Sequence, residues 1–243
     1  MKTDPEFGAA VQRLRVRQCT YEDVDLFNTR VVRSSSNTQG IDLGTNDNLT
    51  GAAIVSTNAS REHLNNIKAA ATCATHALNL VICAANDRVK QTSSTLTREI
   101  RLHLLGLDVA AFSSAGALPG FVSLYVGMPV ILRSRNLSTE LGITNGSQGI
   151  VRKIYTAQCA EGLTYCTCAL VDFAGSRVRI PGLPVGTFPI TPISWTFTTL
   201  APGSKDDKSK LRVVREQLPI QPAFAVTGHS AQGKTLPKVI VNL

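Results

Sequence analysis

After about residue 124 the chain changes texture, and that change constrains the fold more than any single motif. "GMPVILRS", "QGIVRKIY", "CTCALVDF", "SRVRI" and "SWTFTTL" are short apolar runs separated by Gly, Pro and Asn turns. Such runs predict a small antiparallel barrel. Asn145-Gly146 is a tight-turn signal, with Gly149 just beyond it. The flanking segments read differently. "AAIVST" (52–57) predicts a short strand, and Ser60 in the following "NAS" is expected to cap a helix beginning "REHLNNIKAA". Strand, polar turn and helix make half of a βαβ unit. "LVICAAN" (80–86) reads as another buried strand. "LTREIRLHLLGL" reads as an amphipathic helix with Leu96, Ile100, Leu104 and Leu107 on one side. "QPAFAVTGHSAQGKTLPKVIVNL" returns to the α/β texture. The order α/β, β, α/β predicts an α/β fold with an inserted barrel.

The first residues carry two helical patterns. Phe7, Ala10, Val11 and Leu14 share one face, and Val24, Phe27 and Val31 another. Thr20 is placed to cap the second helix, with Asp23 in the capping-box position. Ser34–Thr50 reads as a long surface loop, and "APGSKDDKSK" (201–210) as a solvated charged turn.

Charge narrows the partner. Lys and Arg number 25 against 17 Asp and Glu, a formal +8 on a chain only 17% charged. A polyanion suits that surplus, although a merely basic surface accounts for it equally well. No apolar run approaches the roughly 20 residues of a membrane span. "MKTDPEFG" lacks the apolar core of a signal peptide. An intracellular protein with reduced cysteines is expected, without a membrane partner. Cys159, Cys166 and Cys168 lack the C-x₂-C pairing of zinc sites, so no metal is expected. "TYCTCALVDF" reads as a strand with Cys166 and Cys168 on one face, and Cys73 and Cys83 read as core residues.

"GHSAQGKT" (228–235) fits the phosphate-loop pattern G-x-x-x-x-G-K-[ST]. A phosphate loop needs a preceding strand and a following helix whose N-terminus faces the phosphates. "PAFAVT" supplies the strand, but only "LPKVIVNL" follows Thr235. Pro237 falls in the would-be first turn, and "KVIV" reads as a strand. No later strand remains to carry a magnesium-binding carboxylate.

Three stretches together resemble the C-terminal half of a PIF-type DNA helicase, in the PIF/RecD branch of superfamily one that includes Helitron-associated helicases. "LPGFVSLYVGMPVILRSRNLSTELGITNGSQGIV" is similar to the passage from the second RecA-like domain into a small Src-homology-three-like barrel. "VREQLPIQPAFAVTGHSAQGKTLPKVIVNL" is similar to the return through helicase motif V, and "AAIVSTNASREHLNN" to the strand–Thr–x–Asn–helix element earlier in that domain. The resemblance implies a second RecA-like helicase domain of P-loop NTPase type with an inserted small antiparallel β-barrel. Residues 1–124 would form its first part, 125–213 the barrel, and 214–243 the return carrying motif V. Motif V usually reads His-Lys-Ser-Gln-Gly in this family; here Ser230 and Ala231 replace the Lys and Ser, nearer the His-Ser-Ala-Lys-Gly of UvrD-type helicases. Gly228 replaces an apolar residue, so the phosphate-loop match is a coincidence and Lys234 is not a phosphate lysine.

The resemblance implies that Thr227 and His229 contact the backbone of single-stranded DNA, as a hydroxyl and an imidazole N–H can without reading bases. Thr57 and Asn58 are expected to add a second phosphate contact, with a plain helix cap as the alternative. Gln232 and Gly233 match the turn bordering the ATP cleft. No catalytic residue is assigned. ATP and Mg²⁺ would be held mainly by motifs not found here: Walker A and B, expected before residue 1, and the arginine motif VI, expected after Leu243. The chain thus reads as a fragment of an ATP-dependent helicase, with 5′-to-3′ unwinding and roles in repair, recombination or mobile-element replication as family inference. Its site would be nuclear or mitochondrial in a eukaryote. The alternatives are a motor-less nucleic-acid-binding module and an inactive remnant. A module would need stacking platforms; Tyr125, Tyr155, Tyr165 and Trp195 are the candidates, with core packing as their other use.

Overall fold

The computed structural model describes residues 4–31, 52–90, 96–108, 117–133, 136–159, 162–203, 210–232 and 239–241. The expected 34–50 loop, most of the 201–210 turn, Gly233 and Lys234 lie outside the described residues. The chain forms two compact units, Met1–Gly51 and Ala52–Leu243.

In the first unit, Pro5 and the Asp4 cap start α1 (Pro5–Arg15), with Phe7 N donating to Asp4 Oδ1 at 3.1 Å. The expected capping box opens α2 (Tyr21–Asn28): Asp23 N donates to Thr20 Oγ1 and Thr20 N to Asp23 Oδ2. Asp23 also receives both arms of Arg13, which joins the two helices. That hydrogen bond, ahead of the one from Thr20 N–H, holds the Asp23 carboxyl well below the usual carboxylate range. Phe7 and Phe27 meet edge to face at 5.7 Å.

The second unit is a mixed α/β fold. It opens with β1 (Ala52–Val55) and α3 (Asn58–His76). The cap of α3 is Thr57 rather than Ser60: Ser60 N donates to Thr57 Oγ1 at 3.1 Å, so helix begins three residues earlier than the pattern implies. The expected strand at 80–86 is β2 (Val81–Ala84), and the last residue of that run, Asn86, opens β3 (Asn86–Val89) in a different sheet. They part at Ala85, whose N–H turns to Gly120 O at 2.8 Å. Next come α4 (Arg98–Leu105), β4 (Phe121–Leu124), β5 (Pro129–Leu132), β6 (Gln148–Gln158), β7 (Thr164–Asp172) and β8 (Thr187–Ile190). The remainder is β9 (Ile193–Leu200), β10 (Lys210–Gln217), β11 (Ile220–Pro222), β12 (Ala225–Thr227), α5 (Gly228–Ala231) and β13 (Val239–Val241). No helix among the described residues is long and apolar enough to cross a membrane.

The antiparallel strands form open sheets. One runs β11-β5-β6-β7-β8, and β9 and β10 leave it to pair with β3 in a sheet of their own. With its strands divided between two sheets, no sheet closes among the described residues, and the expected closed barrel is not seen. "SRVRI" is not a strand either: Arg177 N donates to Leu141 O and Val178 O accepts from Gly186 N, so neither backbone group joins a ladder. The tight approach of β6 and β7 requires Gly149, where an added Cβ would lie 2.5 Å from Val171 Cγ1 and 2.8 Å from Asp172 O.

The main core gathers Leu124, Met128, Val130, Leu132, Ile143, Val151, Val171 and Ile190, with Ala69 and Cys73 from α3. A second cluster joins Leu104, Phe197 and Val213 to Leu96, Ile100 and Leu107, the apolar face expected of α4. Beside it lies a fully buried ion pair. Arg215 forks onto Asp87 at 2.8 and 2.7 Å and donates to the carbonyls of Leu104 and Leu118.

Candidate functional site

The third sheet is parallel, in the order β12-β1-β13. After the whole antiparallel excursion, β12 returns directly beside β1, with Ala53, Ile54 and Val55 in register with Ala225, Val226 and Thr227. Parallel pairing places the C-terminal ends of both strands at one edge, which is where open α/β sheets bind ligands. Thr227 ends β12 there, and Thr57 follows β1 by two residues. Residues from opposite ends of the second unit therefore share one rim.

The rim has a repeated arrangement. Thr57 Oγ1 donates to Ser60 Oγ at 2.8 Å while accepting from Ser60 N. Thr227 Oγ1 lies 3.0 Å from Ser230 Oγ. In each case a threonine at a helix start meets a serine three residues on. Ser230, where the resembling family carries Lys, thus orients the Thr227 hydroxyl. Thr57, Asn58, His229 and Gln232 are exposed and Thr227 is half-buried. This is a rim of neutral donors open to solvent, suited to phosphate oxygens and indifferent to base identity.

The described part of "GHSAQGKT", Gly228–Gln232, does not have the form of a phosphate cradle. A phosphate loop stays open until its Gly-Lys-Thr, but Gly228–Ala231 is already a helical turn, closing with Gln232 N on His229 O. β13 resumes at Val239, parallel to β1. Residues 236–238 are too few for the long helix a phosphate loop feeds. The described residues do not by themselves form a site for a nucleoside triphosphate. Among the described residues, no cluster of three or more His, Cys, Asp or Glu is placed to hold a metal ion. Cys83 and Cys166 are buried neighbours, and hydrogen bonding to Cys166 with burial pushes the Cys83 thiol up.

Asn65 is a site-supporting residue that pattern reading misses. The buried stripe of α3 is Arg61, Asn65, Ala69 and Cys73, at i, i+4 spacing. Asn65 donates from Nδ2 to Ala225 O at 3.2 Å and accepts from Ala225 N at 2.7 Å. Ala53 N meanwhile donates to Phe224 O, so the groups of Ala225 face away from β1. The Asn65 amide thereby acts as one residue of a missing strand and fixes β12 two residues before Thr227. Polar residues at two positions of an otherwise small, apolar stripe were the available signal. Of the aromatic candidates, Tyr125 is buried and Trp195 stacks on Phe197 at 4.7 Å. Tyr155 is exposed with Lys153 Nζ 4.8 Å from its ring centre, and Tyr165 is half-buried.

No family model matches the chain, and neither does any curated protein. Solved structures do. The Pif1 helicase of Candida albicans aligns over 99% of this chain and 48% of its own, at TM-score 0.54 and 17% identity. Bacteroides Pif1 bound to ssDNA aligns over 98% and 42%, at TM-score 0.54 and 20% identity. Bacteroides Pif1 in complex with ADP-AlF3 and ssDNA aligns over 99% and 43%, at TM-score 0.56 and 19% identity. The chain therefore spans less than half the length of each. It has the fold of part of a Pif1-type helicase, a likeness that at this identity concerns the fold.

Proposed function

We propose that this chain is the second motor domain of an ATP-dependent, PIF-type DNA helicase, and that its own contribution is to hold single-stranded DNA. The observation carrying this reading is the register of β1 with β12, which brings the segments of Thr57–Asn58 and Thr227–His229 to one sheet edge. On this reading Asn58, Thr227 and His229 donate to backbone phosphates, and Thr57 joins them when its hydroxyl turns from Ser60 Oγ to the phosphate. Gln232 and Gly233 border an ATP cleft whose main phosphate and Mg²⁺ ligands lie on residues other than these 243. The division into 1–124, 125–213 and 214–243 belongs to the same proposal, the open antiparallel sheets standing for the inserted barrel. So do 5′-to-3′ unwinding, a role in repair, recombination or mobile-element replication, and a nuclear or mitochondrial site in a eukaryote.

The test is fluorescence anisotropy with labelled oligothymidine across a salt series. Two to four phosphate contacts give a log–log slope of roughly −1.5 to −3, at about −0.7 per contact. Thr227→Val and His229→Ala each remove one neutral hydrogen bond, worth ~0.5–1.5 kcal/mol or about two- to twelve-fold in affinity. Lys234→Ala is expected to matter less. Silent donor variants alongside a damaging Lys234→Ala would refute the rim.

A further inference from the structure

The inner stripe of α3 begins with a residue that apolar packing does not explain. Arg61 is only 7% exposed, and a buried guanidinium is costly unless paired. Its hydrogen-bond partner is the neutral Asn58 Oδ1. Among the described residues no carboxylate lies at ion-pair distance from it. Arg133, half-buried just after β5, has its backbone N–H on Pro219 O at 2.7 Å, and its side chain has no carboxylate at that distance either. This contrasts with Arg13, Arg30, Arg88, Arg152 and Arg215, each of which reaches an Asp or Glu.

Both side chains line one recess, together with Asn58, Glu62, Ser123 and Gln221. Burial and then the neighbouring Arg133 charge lower Arg61 to about 10, so it stays a cation at neutral pH. Burial likewise lowers Arg133 and raises the Glu62 carboxyl. Gln221 is only 9% exposed, and its amide oxygen has no hydrogen-bond partner. A half-turn of that amide exchanges its oxygen for its N–H₂. The lining thus carries two guanidinium charges against the Glu62 carboxylate, which the nearby Asp108 charge pushes up further, plus an amide oxygen without a hydrogen-bond partner. The two guanidinium groups disfavour a cation, and the polar demand disfavours an apolar occupant. Planar guanidinium forks match phosphate oxygens. Position selects the source, because the recess starts at Asn58, the residue after Thr57 on the rim.

We propose that Arg61 and Arg133 form a phosphate subsite that receives one backbone phosphate of a nucleic-acid strand lying along the Thr57–Thr227 edge. The assignment rests on the strand-binding reading above and deepens it. The rim supplies neutral donors, the recess supplies charge, and Glu62 moderates the grip. Such a subsite makes the strand's affinity depend on salt more steeply than hydroxyl and imidazole contacts alone.

The experiment uses the full chain, labelled oligothymidine and anisotropy over a salt series, with a thermal melt of every variant. Arg133→Gln, the less buried of the two, is expected to lose about ten-fold in affinity at low salt and to flatten the log–log slope by about 0.7. Arg61→Gln should do the same where it folds. Glu62→Gln should tighten binding. Gln221→Glu gives the arginines a carboxylate of the protein's own, and is expected to raise the melting temperature while weakening binding by about ten-fold. A purely structural role for the arginines would not move stability and affinity in opposite directions. If Arg133→Gln and Gln221→Glu bind with wild-type affinity and slope while Thr227→Val loses affinity, the subsite is wrong and the rim stands. If the wild-type chain binds no strand, the rim falls and the subsite with it.

Discussion

Replacing Asn65 by Leu keeps the branched four-atom shape of the side chain, though not its volume, and removes the amide that anchors β12. Ala225 is fully buried, so water cannot take over its N–H or its carbonyl. Each orphaned backbone group costs about 1–3 kcal/mol, or roughly 2–6 kcal/mol for the two. The new apolar side chain offsets about 1.5–3 kcal/mol by its burial. A net loss centred near 2 kcal/mol is expected, a sizeable part of the ~5–15 kcal/mol that holds an ordinary domain together. Asn65→Asp separates the two bonds. The carboxylate still accepts from Ala225 N–H, but it faces Ala225 O with no proton to donate, buried and unpaired. Its folded-state pKa is therefore raised above the unfolded value, and the destabilisation, full above the folded value, recedes as pH falls through it. Urea unfolding followed by the single Trp195 reads both variants. Equal stability of wild type and Asn65→Leu, within about 0.5 kcal/mol, would refute the strand-mimic argument, since a surface change gives no more than that.

Arg215→Met should strand the Asp87 carboxylate and cost about 3–5 kcal/mol, whereas Arg215→Met with Asp87→Leu should recover most of it; chemical denaturation compares the two. The depressed Asp23 carboxyl contributes stability that is fully present above the ordinary carboxylate range and is lost as pH falls below it towards the folded value. The stability difference between wild type and Asp23→Asn should accordingly shrink between neutral pH and about pH 2, the lower side of the unfolded carboxylate titration, as followed by circular dichroism. The chain alone should show no DNA-stimulated ATP hydrolysis, and turnover above ~1 s⁻¹ in a steady-state assay would restore "GHSAQGKT" as a phosphate loop.

Features that depend on neighbours three or four residues apart were legible before folding. The Thr20–Asp23 capping box, the apolar face of α4 and the strand at "KVIV" all follow from local periodicity or a nearby hydrogen bond. The resemblance in "VTGHSAQG" selected Thr227 and His229, although composition alone had no means to do so. Tertiary structure decided the rest, because partners distant in sequence leave no local mark. Asn65 meets Ala225 across 160 positions, and Arg215 meets Asp87 across 128. Strand pairing is equally non-local: β9 and β10 carry ordinary barrel-strand patterns, yet they pair with each other and β10 pairs with β3, and the sheets stay open. "SRVRI" has strand-forming residues but no neighbouring edge to pair with, so it forms none. The rim exists only because β12 returns parallel to β1, and the Arg61–Arg133 recess only because α3 packs beside β11 and the end of β5. Burial and charge balance are properties of that assembled neighbourhood, which is why two ordinary-looking arginines acquire a shared unmet demand only after the chain has folded.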